Sequence, residues 1–138
     1  MIKKIFTLLS FIHIFNISLI ANNVYLRVNQ IGYLEDDIKV AVAMMPNSIE
    51  NLTINDFALI NISTNERFNL DSIKITSAWE PMKMCARLYF SSLSTPGEYK
   101  LIGLDSESPI INIGNNVYAG CQEIPLYYMR QQRCGYNP

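Results

Sequence analysis

From Val24 to Ile113 the apolar residues of this chain recur at every second position, a period that suits half-buried β-strands and not helices. Val24, Leu26 and Val28 alternate with Tyr25, Arg27 and Asn29. A second strand spans 38–45, with Val40, Val42 and Met44 set against Lys39, Ala41 and Ala43, and Pro46 and Asn47 close it. Further strands are expected at 56–62, 67–70, 73–77, 82–90, 99–103 and 110–113, with a polar turn over 61–65. About seven or eight short strands at regular spacing predict an all-β fold, an antiparallel β-sandwich of immunoglobulin type. Its expected core is Val28, Val40, Val42, Leu59, Leu88, Phe90, Tyr99 and Leu101. Thr95-Pro96-Gly97-Glu98 predicts a type II turn, proline presetting φ and glycine accepting a positive one. The Cys-Trp-Cys spacing of antibody domains is absent.

After Ile113 the pattern changes. Asn115 and Asn116 suit a helix N-cap, and Val117, Cys121, Ile124 and Tyr128 recur along one helical face. Arg130 and Arg133 complement the dipole of the last turn, and Gly135 is placed to end the helix. Pro125 either bends this helix or marks the start of its regular part near Ile124.

The first 21 residues read as a secretory signal: Lys3 and Lys4 precede an apolar run, and Ala21 is the small residue before a cleavage site. His13, Asn16 and Ser18 interrupt the run, which falls short of the roughly 20 apolar residues that span a bilayer. The exported chain is therefore expected to begin at Asn22, with no membrane attachment after cleavage. Cleavage removes two of the 11 basic residues and none of the 12 acidic ones, leaving a net charge of −3 that recruits neither nucleic acid nor anionic lipid. It also removes His13, the one histidine, and with it any Ser-His-Asp triad or histidine metal site. Cys85, Cys121 and Cys134 lack metal-ligand spacing, and their odd number leaves one thiol free or all three as small buried hydrophobes.

Four segments, in order, carry a family resemblance: Arg27-Val28-Asn29-Gln30-Ile31-Gly32-Tyr33-Leu34, Ser91 through Leu101 with its Thr-Pro-Gly-Glu-Tyr, Ile113-Gly114-Asn115-Asn116-Val117-Tyr118, and Gln132-Arg133-Cys134-Gly135. Together they resemble the N-terminal immunoglobulin-like module of glycoside hydrolase family 9 cellulases and the first helix of their catalytic barrel. The resemblance implies a sandwich over residues 22–114 and the start of an α/α barrel over 115–138. It implies an inverting endo-β-1,4-glucanase, whose two carboxyl groups stand roughly 6.5 to 9.5 Å apart to admit a water. Those carboxyls belong to the barrel, so no catalytic residue transfers to this chain, and no metal or cofactor is implied. The implied partners are a β-glucan polysaccharide, through the barrel, and the barrel itself. Two residues depart from the family pattern: Tyr89, where many relatives carry an acid, and Pro125 within a helix usually free of proline.

Glu35, Asp36 and Asp37 form the densest acidic cluster. Three adjacent acids lack the alternating ligands and glycine bend of a calcium loop, so a solvated turn is the better account. Trp79, beside Pro81, is expected to be buried or packed on a neighbouring domain sooner than stacked on a sugar. Tyr118, Tyr127 and Tyr128 are expected as core or interface residues. A non-catalytic module supporting a glucanase barrel accounts for these features best. The alternative, a stand-alone carbohydrate-binding or adhesion sandwich, calls for a planar row of exposed aromatics, and an independent enzyme calls for a carboxylate pair that the chain does not offer.

Overall fold

The computed structural model describes residues 24–132; the expected leader and Arg133, Cys134 and Gly135 lie outside that range. Nine strands among the described residues form two antiparallel sheets. They are β1 (Tyr25–Arg27), β2 (Val40–Met45), β3 (Phe57–Asn61), β4 (Arg67–Phe68), β5 (Ser72–Thr76), β6 (Met84–Tyr89), β7 (Gly97–Gly103), β8 (Ser106–Glu107) and β9 (Ile111–Ile113). The first sheet runs β1-β2-β6-β5 and the second β4-β3-β7, with β8 and β9 both paired to β7. One helix, α1 (Glu123–Gln132), comes after them. Among the described residues no helix is long and apolar enough to cross a membrane.

The core lies between the sheets. Leu59, Leu88, Phe90, Tyr99 and Leu101 are fully buried there, as expected, and Val28 packs against them half-buried. Tyr99, near the start of β7, donates its hydroxyl to the Thr95 carbonyl oxygen at 3.0 Å, the corner bond typical of immunoglobulin-like sandwiches. In the polar turn after β3, the Asn61 side chain accepts from Ser63 N and Thr64 N at 2.9 and 3.0 Å, which satisfies two donors that the turn would otherwise leave unpaired.

The phase of β2 is opposite to the one expected. Ala41, Ala43 and Met45 face the core, whereas Val40, Val42 and Met44 are half-buried on the outer face. This strand is apolar on both sides, so alternation sets no phase, and size pointed to the valines. Register shows why alanines fit: Leu26 pairs with Ala43, which pairs with Ala86, and Ala41 pairs with Leu88, so large and small side chains alternate across the layer. Lys39 shares the inward phase and is also completely buried.

Two other expectations change. Gly97 is the first residue of β7 with φ of +156°, not the roughly +80° of a type II turn, and residues 93–96 form no turn. The helix begins at Glu123 and not at the Asn115-Asn116 pair. Residues 115–122 make successive tight turns instead, with Ala119 N, Cys121 N and Glu123 N each bonded to the carbonyl three residues back. Val117 and Cys121 therefore share no continuous helical face with Ile124 and Tyr128. Pro125 explains the start: in the first helical turn its missing N–H has no partner to lose.

The inverted phase is open to measurement by denaturant unfolding. Leu88→Asp buries an unpaired charge and should cost several kcal/mol of the about 5–15 kcal/mol available to a small domain. Val42→Asp, on the outer face, should cost about 1 kcal/mol or less. A loss at Val42 equal to that at Leu88 would mean that the outer face of β2 is buried as well.

Candidate functional site: the stapled end of the sandwich

The Asn29–Lys39 connection joins β1 to β2 within the first sheet and on its way reaches β9 of the second. Tyr33 donates its N–H to Asn112 O at 2.9 Å and accepts from Gly114 N at 3.1 Å, forming a parallel bridge beside Ile113 in β9. Its hydroxyl reaches back to the first sheet, donating to Val40 O at 2.6 Å and accepting from Asn29 N at 3.3 Å. Its ring meets Phe90 edge-on, centroids 5.6 Å apart. One buried tyrosine thus touches both sheets. Gly32 is required before it: φ is +122°, and a Cβ there would collide with the Asn112 carbonyl oxygen.

Asn29 makes an Asx turn, accepting from Ile31 N at 3.1 Å and donating from Nδ2 to Gly32 O at 2.7 Å. Tyr118 joins from the segment after β9, its hydroxyl donating to the same Gly32 oxygen at 3.1 Å and lying 3.4 Å from Asn29 Nδ2. Tyr118, expected as a core or interface residue on a helix, instead lies in the turns before the helix, partly exposed, and its contact ties the C-terminal segment to the sandwich.

The acidic turn is organised around a cation that sequence reading placed on the wrong face. Lys39 is fully buried, and Nζ donates to Glu35 O at 2.6 Å and Asp37 O at 3.1 Å. The Asp37 carboxylate accepts from Leu34 N at 2.9 Å, and Ser91 Oγ accepts from Lys39 N at 3.0 Å. A buried ammonium is costly unless oxygen surrounds it, and backbone carbonyls supply that oxygen here. Glu35 and Asp37 therefore act through their backbone carbonyls, and Asp37 also through one turn bond. Among the described residues no three His, Cys, Asp or Glu side chains converge as metal ligands. The signal that could have revealed Lys39 is its even spacing from Ala41, Ala43 and Met45.

The remaining candidates lie apart. Trp79 sits in the β5–β6 loop, at the end of the first sheet opposite Asn29, and is 84% exposed, so the sandwich does not bury it. Tyr127 and Tyr128 are exposed on α1, together with Ile124, Leu126 and Met129, and α1 has no buried residue. Cys85 and Cys121 are half-buried and unpaired, and Cys134 lies outside the described residues.

This geometry defines an immunoglobulin-like sandwich whose end is locked to the segment leading into a helix. The match to known families agrees. Residues 22–107 match the family described as the cellulase N-terminal ig-like domain, and the chain belongs to that family. Among solved structures it is similar to a Bacteroides ovatus GH9 protein, with 25% identity and a TM-score of 0.62 over 78% of this chain and 18% of that one. A metagenome-derived glycoside hydrolase family 9 endoglucanase shares the fold at 20% identity and a TM-score of 0.51, over 69% of this chain and 18% of that one. The chain thus spans less than a fifth of either structure. Comparison with curated proteins gives no match.

Burial raises the Tyr33 hydroxyl above its ordinary pKa of 10.0, outweighing the Asn29 N–H that favours the phenolate. A raised folded-state pKa gives stability that is present below pH 10.0 and lost as pH climbs through the folded value. Alkaline unfolding should show that loss, and Tyr33→Phe should reduce it while costing about 1 kcal/mol near neutral pH through the unpaired Val40 carbonyl. An identical alkaline profile in the variant would rule Tyr33 out as its source.

Proposed function

We propose that this sandwich is the accessory module of an exported family 9 endoglucanase and that its task is to pack on and steady the helical barrel that cleaves β-1,4-glucosidic bonds with inversion. The observation that carries the reading is α1. A ten-residue helix is marginal in water without packing, and this one leaves Ile124, Leu126, Tyr127, Tyr128 and Met129 all exposed. Its apolar side chains call for other helices, as a barrel would supply. The locked Asn29–Tyr118 end gives such a domain a firm base. The reaction itself needs two carboxyls roughly 6.5 to 9.5 Å apart around a water, and that pair is assigned to the barrel and not to the sandwich. Domain limits of 22–114 for the module and 115 onward for the barrel suit the match and the break in pattern after β9.

Residues 22–138 alone should release no reducing sugar from soluble β-1,4-glucan. Hydrolysis that disappears in Asp36→Asn or Asp37→Asn would place a catalytic pair in the sandwich and overturn the reading. Export is checked separately, on the full 1–138 chain expressed in a secreting host: the secreted chain should begin at Asn22, and secreted material retaining residues 1–21 would contradict it.

A further inference from the structure

The chain is acidic as a whole, yet one face of it carries no acid. Strand register sets Arg27, Val42, Arg87 and Lys74 side by side in a single row across all four strands of the first sheet. The row lies on the outer face, opposite the core-facing Leu26, Ala43 and Ala86, and its three cations are exposed. None of the three has a carboxylate within ion-pair distance: among the described residues the ion pair is Lys100–Glu107, at 3.0 Å on the second sheet. All 12 acidic residues fall between Glu35 and Glu123, and none occupies an outward position of the first sheet.

A merely solvated face mixes both signs. Arg27 and Lys74 sit on edge strands, where a cation discourages edge pairing, but Arg87 is on an inner strand and has no such role. The flanks of the row are Tyr25, Met44, Cys85 and Thr76 on one side and Val40, Tyr89 and Ser72 on the other. A protein interface places apolar residues at its centre and charge at its rim, which is the reverse of this layout. With strands about 4.8 Å apart, the cations fall at about 0, 10 and 14 Å along a straight line. A straight line of positive charge between aromatic and aliphatic flanks suits a linear polyanion whose rings offer apolar faces.

We propose that the outer face of the first sheet binds a linear carboxylated polysaccharide, with its carboxylates on Arg27, Arg87 and Lys74 and a sugar ring against Tyr89. The Tyr25 ring is taken up by the Arg27 guanidinium, 5.9 Å from its centroid, and so holds that cation in place. The guanidinium groups of Arg27 and Arg87 can each take a carboxylate through two parallel bonds. The site would hold a charged chain in preference to neutral glucan. The choice of a glycan over another polyanion rests on the proposed function; the cation row does not.

The test is fluorescence anisotropy of a labelled oligogalacturonate titrated with the chain at low salt. The protein should bind, and added salt should weaken binding. Arg27→Gln/Lys74→Gln/Arg87→Gln should weaken it by about tenfold or more, whereas Arg67→Gln/Lys100→Gln/Arg130→Gln, with the same change in net charge but away from this face, should bind as the parent does. A neutral cello-oligosaccharide of equal length should not bind. Equal losses in the two triple variants would reduce the effect to overall charge and overturn the proposal, as would absent binding by the parent. Equal affinity for a single-stranded DNA oligomer would overturn the glycan assignment, while the lack of glucan hydrolysis would still stand as a separate result. Thermal melting confirms folding of each variant, and should the row variant not fold, Arg87→Gln alone is read in its place, a parent-like affinity counting against the proposal.

Discussion

A cation cut off from water must be met by oxygen, and in this protein that requirement shapes one whole end of the fold. The Lys39 ammonium draws in the carbonyls of Glu35 and Asp37, which sets the turn that carries the chain from Tyr33 back into β2. Tyr33, placed by that turn, bonds the first sheet through its hydroxyl and the second through its backbone. The edge of β9 and the approach of Tyr118 both depend on this position. Every buried side-chain polar atom among the described residues has a partner, so the polar end carries no unpaired group to offset its bonds.

The sandwich was legible where alternation had a clear phase. In β6 and β7, Leu88, Tyr99 and Leu101 alternate with exposed or half-exposed neighbours, and their inward placement followed from the pattern alone. β2 defeated the same reasoning because Val-Ala-Val-Ala-Met-Met is apolar on both faces, and the phase had to come from the volumes opposite it. Lys39 is hard to place for the related reason that a lysine reads as outward unless its carbonyl partners are known. The Asn pair offers good caps and so suggests too early a helix start, whereas Pro125 confines the regular helix to residues beyond Gln122. The Asn29-to-Tyr33 motif was visible as family likeness; its role as a link between sheets was not, since Asn112 and Val40 come near it only in the folded chain.

Net charge misleads in a similar way. A value of −3 for residues 22–138 excludes a generally cationic protein, but it says nothing of where the charges stand. Arg27, Lys74 and Arg87 are far apart in sequence and meet only because β1, β6 and β5 share a sheet. The molecule thus presents two unlike surfaces: a locked end from which a helix with exposed apolar side chains departs, and a cationic sheet face between the end that carries Trp79's loop and the end that carries the acidic turn. The first suits a helical neighbour and the second a charged chain, and neither demands chemistry from the sandwich itself.

The Tyr33 staple belongs to the rigid body of the sandwich, and α1 stands outside it. Native-state hydrogen exchange on residues 22–138, read amide by amide, addresses both halves at once. The amides of Tyr33 and Gly114 should exchange only with global unfolding, as slowly as that of Leu101 in β7, and the amides of α1 should exchange orders of magnitude faster. Tyr33 and Gly114 amides exchanging as fast as α1, or α1 protected as well as β7, would contradict the account.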